Sequence, residues 1–299
     1  GANAVKFQTF KAEKLLNPFV FQEKDLKENW VYQELKKVEI NEEFHQEVQK
    51  KCQQLGIDFL SSPFDEDSLA LTARYCHAIK IASSEVPNLP LLRKVGQYQK
   101  PVILSTGISN LGEVEQGISA LIFGGVTQLS LLHCVSLYPL NPENANLKVI
   151  TTLQKAFGLD VGFSDHSLDD SLALTAVALG ASIIEKHVTL KREDRIFDHS
   201  HSMEFSDLQK MIENIRKIEV ALGDGIKKMS AQELEIKKGS NKSFFAAKDL
   251  KKGDVLTLEN LKCMRPYLGI PAKYQEIVLG KKTNQDIQAN YPLLWEHIQ

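Results

Sequence analysis

Gly162-Phe163-Ser164-Asp165-His166 and Ile183-Ile184-Glu185-Lys186-His187 are short, largely apolar runs that each end in a histidine. Between them lies an amphipathic stretch, Leu168 to Leu179, closed by Gly180, the residue a helix C-terminus favours. The pattern predicts strand–helix–strand with a histidine at the carboxyl end of both strands. Neighbouring parallel strands run about 4.8 Å apart, so two imidazoles leaving one rim can share a divalent ion. A lone histidine at a strand end is more often a satisfied polar residue. For the pair His166 and His187, backed by Asp165 and Glu185, a metal is the better reading.

Two lysines stand in otherwise apolar strands: Lys6 within Ala4 to Thr9, and Lys80 within Ile79-Lys80-Ile81. A buried ammonium is costly without an anionic partner. With hydroxyls from Ser62, Ser83, Ser105 and Ser164 near the same strand ends, the two lysines suggest a seat for a phosphate and a carboxylate. Ser105-Thr106-Gly107 can add backbone N–H donors; each serine taken singly reads equally as a turn or cap residue. Glu85 follows at a strand mouth, and Glu185 shares a face with His187 because side chains alternate along a strand. Both carboxylates are candidates for proton transfer or ligand orientation. His199 and His201, in Asp198-His199-Ser200-His201, are weaker candidates as extra metal ligands.

The elements that must position these groups alternate without a break. Strands are expected at Ala4 to Thr9, Ile57 to Ser61, Ala78 to Ser83, Val102 to Ser105, Leu129 to Cys134, Val161 to Ser164 and Ile183 to His187. Each has a helix to follow, among them Asn41 to Leu55, Leu111 to Phe123, and one opened by a capping box at Ser206-Asp207-Leu208-Gln209. Residues 10–40 read as a long polar and aromatic connection. Short apolar strands separated by helices define an α/β class with a parallel sheet. Polar residues fall at the ends of many strands, which favours a (β/α)8 TIM-type barrel over an open sheet. Seven units are counted, so the first β/α unit of the barrel is expected to be missing. The barrel is assigned to 1–225 and a linker to 226–240. Short strands and turns follow in a small domain, 241–299.

The bulk properties are permissive. A formal charge of −2 gives no reason to expect nucleic acid or an anionic membrane as partner. No apolar run is long enough to span a bilayer. Cys52, Cys76, Cys134 and Cys263 form no C-x-x-C pair and no secretory signal is read at the start, so the cytoplasm is the expected location.

Ala4-Val5-Lys6-Phe7-Gln8-Thr9, Ser62-Pro63-Phe64, Lys80 to Glu85, Leu104 to Gly107, Leu132-His133-Cys134-Val135-Ser136-Leu137-Tyr138-Pro139, Phe163 to His166 and Glu185-Lys186-His187 follow in one order. As an ordered set they resemble the N-acetylneuraminate (sialic acid) synthase family. Lys251-Lys252-Gly253, Glu259-Asn260-Leu261 and Arg265-Pro266 resemble its C-terminal antifreeze-like (SAF) domain. The resemblance implies condensation of phosphoenolpyruvate with an N-acetylated hexosamine, such as N-acetylmannosamine, giving a sialic acid and phosphate. It implies a divalent metal, usually Mn2+, on His166 and His187. It places Lys6, Ser62, Lys80, Ser83, Ser105, Ser136 and Ser164 on the donor. Glu185 and Asp198 then lie near the sugar, with Glu85 and Tyr138 around the site. It further implies a domain-swapped homodimer in which Arg265 contacts the sugar on the partner's barrel. The family's first strand carries a glutamate, and with that unit missing this chain alone is expected to turn over little. Legionaminic and pseudaminic acid synthases, or a truncated binding module, are the alternatives.

Overall fold

The structure is a computed structural model describing residues 1–17, 29–193 and 197–299. Two compact units divide it, Gly1–Gly223 and Asp224–Gln299.

Seven strands build the first unit's main sheet: β1 (Ala4–Thr9), β2 (Asp58–Pro63), β3 (Ala78–Ile81), β4 (Val102–Ser105), β5 (Leu129–Cys134), β6 (Asp160–Asp165) and β7 (Ile184–Lys186). They are parallel and ordered as in the sequence. Helices intervene: α1 (Ala12–Leu15), α2 (Trp30–Lys37), α3 (Glu42–Leu55), α4 (Glu66–Tyr75), α5 (Leu89–Val95), α6 (Leu111–Phe123), α7 (Pro142–Ala145), α8 (Val149–Phe157) and α9 (Ser171–Ala178). A short parallel pair, β8 (Val188–Thr189) and β9 (Met203–Glu204), then leads into α10 (Phe205–Leu222). The sheet curls into part of a barrel, because Lys6 on β1 reaches Glu185 on β7 at 3.0 Å although these are the two end strands.

Alternation along each strand explains the curl's two faces. Ile79 and Ile81 flank Lys80, and both are fully buried with Leu104, Leu131, Val161 and Phe163 against the helix residues Leu69, Leu92, Leu121 and Ile150. Each such side chain contributes about 1.5–3 kcal/mol by leaving water. That packing turns the intervening residues, Lys80 among them, toward the inside.

Sequence signals fixed several helix ends. Asn41 caps α3, accepting from Phe44 N, and Gly56 ends it in the left-handed region at φ 67°. Asp65 caps α4, and Asn110 with Glu113 forms a full capping box on α6. Others differ. Helix α10 starts at Phe205 with Glu204 at its N-cap and no side-chain cap, so the expected capping box at Ser206 does not form. The chain enters that helix directly from β9, which leaves Ser206 already inside the first turn. The connection 10–40 carries α1 and α2; the latter has no fully buried residue. Residues 18–28 of that connection lie outside the described residues.

In the second unit, α11 (Ala231–Ser240) occupies the expected linker, and Tyr267 N donates to Lys238 O at 2.8 Å. Strands β10 (Ser243–Ala246) and β11 (Leu261–Met264) pair antiparallel over a core of Phe244, Leu250, Leu256, Ile270, Val278, Ile287 and Leu293; a one-turn helix, α12 (Gln275–Val278), completes the unit. Lys252-Gly253-Asp254 forms a turn, with Gly253 at φ 95°. No helix among the described residues is long and apolar enough to cross a membrane.

Candidate active site

The carboxyl ends of the strands converge on Glu185. Lys6 Nζ lies 3.0 Å from Glu185 Oε2, Lys80 Nζ 3.6 Å from Oε1, and Ser164 Oγ donates to Oε1 at 2.8 Å. Lys80 is 2 % exposed and donates to Ser105 Oγ at 2.7 Å and to Ile81 O at 3.1 Å. Burial alone would raise the Glu185 carboxyl, but the Lys80 and Lys6 charges and the Ser164 hydroxyl outweigh it and hold it well below the usual range. Burial lowers the Lys80 ammonium to about 8, against the pull of Glu185. Five strands (β1, β3, β4, β6 and β7) thus contribute to one polar, charged cluster. Ser62, at the end of β2, has a buried hydroxyl with no partner, so it retains hydrogen-bonding capacity.

Beside β4, the S-T-G turn is arranged otherwise than expected. Its N–H groups are already used: Thr106 N donates to Leu132 O and Gly107 N to Ser83 Oγ, each at 3.0 Å. A Cβ on Gly107 would stand 2.5 Å from Ser136 Oγ, 2.9 Å from Ser83 Oγ and 3.1 Å from Cys134 Sγ. Glycine is therefore required for the two serines to approach this turn.

The imidazoles of His166 and His187 face one another with ring centroids 5.4 Å apart. His166 Nδ1 lies 2.8 Å from Val135 O; a carbonyl only accepts, so Nδ1 carries the proton and Nε2 keeps its lone pair. Burial holds the His166 ring below the usual histidine range. Burial, then the Lys6 charge, lowers His187 to about 4, so both rings are neutral at neutral pH. Tyr138 covers them, its ring 4.1 Å from that of His166 and 5.1 Å from that of His201. Its phenol is pushed above the usual range by burial. Asp198 Oδ2 is 3.8 Å from His187 Nδ1, and Asp198 Oδ1 is 3.3 Å from His201 Nε2, a buried nitrogen out of line for a hydrogen bond. Two imidazoles with free lone pairs fit a divalent ion that fills its remaining positions with water or substrate. Among the described residues no group of three or more His, Cys, Asp or Glu is arranged to hold one.

Four further expected residues have these surroundings. Asp165 does not back the histidines: it points to the opposite face and pairs with Lys186 at 2.7 Å, as strand alternation requires. Glu85 sits in the turn after β3, its oxygens accepting from Asn88 Nδ2 at 2.7 Å and Ser84 Oγ at 3.3 Å. His199 is engaged by Thr189 Oγ1 at 2.7 Å. Arg265, in the second unit, is exposed and makes no ion pair among the described residues. His201 and Cys134 are the side chains that sequence reasoning undervalued. His201 stands on a charged loop and Cys134 ends an apolar strand, so neither carries a distinctive local signal.

Fold and site together define a barrel-type α/β protein whose mouth joins two ammonium groups to a pair of neutral imidazoles. The chain belongs to the NeuB family, whose model matches residues 1–227, and residues 241–299 match the SAF domain. It is 40% identical over 290 residues to N,N'-diacetyllegionaminic acid synthase of Campylobacter jejuni, covering 94% of this chain and 86% of that protein. It is 34% identical to pseudaminic acid synthase of Helicobacter pylori, covering 100% and 90%. Among solved structures, N-acetylneuraminic acid synthetase of Leptospira borgpetersenii, crystallised with citrate, matches with TM-score 0.70 and 33% identity over 79% of each chain.

Proposed function

We propose that this protein condenses phosphoenolpyruvate with an N-acetylated hexosamine to form a nonulosonic acid and phosphate. The observation that carries the reading is the convergence of Lys6 and Lys80 on Glu185 beside His166 and His187. Two ammonium groups supply the charge for a donor bearing a phosphate and a carboxylate. Ser62, Ser83, Ser105, Ser136 and Ser164 supply hydroxyls around them.

His166, through Nε2, and His187 would hold a divalent metal, with Mn2+ suited to imidazole and oxygen ligands. When bound, it supplies Lewis-acid polarisation of the acceptor's aldehyde. The rest follows from the chain's own groups and the bonds exchanged. Lys6 and Lys80 orient the donor so that its C3 bonds to the aldehyde carbon, whose oxygen gains a proton. The cation left at C2 is taken by water, which gives up one proton; the C2–O bond to phosphate then breaks, and the C2 hydroxyl passes its remaining proton to the departing phosphate and becomes a ketone. Glu185, ionised between the lysines, accepts a hydrogen bond from that water and positions it, while the proton passes to the aldehyde oxygen. Asp198 orients His187 and His201 on the acceptor side. Glu85, held in its turn, supports the β3 end.

The likeness to an N,N'-diacetyllegionaminic acid synthase favours an acceptor with two acetamido groups over N-acetylmannosamine. Arg265, free of ion pairs within its own unit, is suited to reach a partner's sugar in a swapped homodimer. The four free cysteines agree with a cytoplasmic setting.

Phosphate release by the full-length protein with phosphoenolpyruvate, Mn2+ and a panel of acetamido sugars tests the reading. Turnover with one acceptor, lost in Lys80→Met, supports it. Sugar binding without phosphate release would leave a binding module in its place.

A further inference from the structure

The mechanism leaves one buried ion pair unused. Lys186 and Asp165 are matched in register across β6 and β7, as are their neighbours Ser164 and Glu185. Strand alternation places Ser164, His166, Glu185 and His187 on the inner face, with Asp165 and Lys186 between them on the outer one. The two outer side chains are 0 % and 3 % exposed. Lys186 Nζ lies 2.7 Å from Asp165 Oδ2, 2.6 Å from Ser167 O, 3.2 Å from Ser167 Oγ and 3.0 Å from Asp169 O. Asp165 Oδ1 in turn accepts from Ser167 N at 2.8 Å. His166 is thereby gripped on both sides, since Lys186 holds the residue before it and the residue after it.

The arrangement also matters for β7. That strand has only three residues, lies at the end of the sheet and pairs with β6 alone. A short end strand is a poor platform for two functional side chains. The Lys186 ammonium ties it to the turn that carries His166, so the spacing of the two imidazoles is set from behind.

We infer that Lys186, through its buried pair with Asp165, is a positioning residue that fixes His166 and His187 at one distance and orientation. The inference deepens the proposed metal and acceptor site and rests on that reading. Groups behind metal-binding imidazoles typically cost 10–100-fold in affinity when lost.

The test uses full-length protein and Mn2+ alone as probe. Lys186→Met strands a buried carboxylate and can fail to fold, so the decisive variant is the double Asp165→Leu/Lys186→Met, which removes both charges. Lys186→Arg is the conservative control. The double variant, folded by circular dichroism, should bind Mn2+ at least about tenfold more weakly, with Lys186→Arg much nearer wild type. In metal-free protein with 15N-labelled histidine, it should lose the fixed Nδ1–H form of His166. Wild-type Mn2+ affinity and an unchanged His166 spectrum in the folded double variant would overturn the inference. Should wild-type protein bind no Mn2+, the metal reading falls, and the ring spectra alone decide for or against Lys186.

Discussion

Burial lowers the Lys80 ammonium to about 8, whereas an unfolded chain keeps its lysines protonated to about 10.4. Between these limits the unfolded state binds the extra proton, so this residue's effect on folding stability becomes more favourable as pH rises. Donor binding needs the charge, and its affinity falls across the same window. Parallel titrations of donor affinity and denaturation midpoint from pH 7 to 10 should therefore slope in opposite directions. In Lys80→Met the two slopes should flatten together and donor affinity should drop at least tenfold. A second test at this scale is Gly107→Ala. Its methyl would stand 2.5 Å from Ser136 Oγ and 2.9 Å from Ser83 Oγ, so both serines must retreat. Steady-state kinetics should show a higher KM for the donor with little change in melting temperature.

At the level of elements, Gly162 on β6 matters most. A Cβ there would lie 2.3 Å from Ile183 O and 2.7 Å from Leu132 Cδ2, a clash with backbone that no rotamer relieves. Gly162→Ala should cost at least about 1–3 kcal/mol in urea unfolding, because β7 must move away. Asn110→Ala, which removes one half of the α6 capping box, should cost about 1 kcal/mol by the same measurement. These features also show what the amino-acid order could reveal. The strands and the ends of α3 and α6 were legible because apolar alternation and cap chemistry are local. So was the face shared by Glu185 and His187, which alternation alone dictates. Alternation likewise put Asp165 on the wrong side for the histidines, which the chemistry of its neighbours had obscured. His201 was not distinguishable from a loop residue, since only the return of β8 and β9 brings it to Tyr138. The N–H groups of Thr106 and Gly107 read as available until their partners on β5 and in the β3 turn were known.

Across the whole molecule, His45, His133, His166 and His187 are all held below the usual histidine range, burial being the first cause in each. Unfolded histidines take up a proton near pH 6.5. Below that value the unfolded state binds protons that the folded state refuses, so stability is lost as pH falls. The denaturation midpoint should be lower at pH 5 than at pH 7, and His45→Gln, remote from the mouth, should lessen the difference. The bridge from Lys6 to Glu185 bears on how the protein is made. Lys6 is made with β1, and its counter-charge only with β7, after five further strands. Until then the two lysines lack their shared carboxylate, so a nascent chain that stops before Glu185 carries uncompensated ammonium groups. Charge balance in the donor site therefore waits on β7, however early the other strands form.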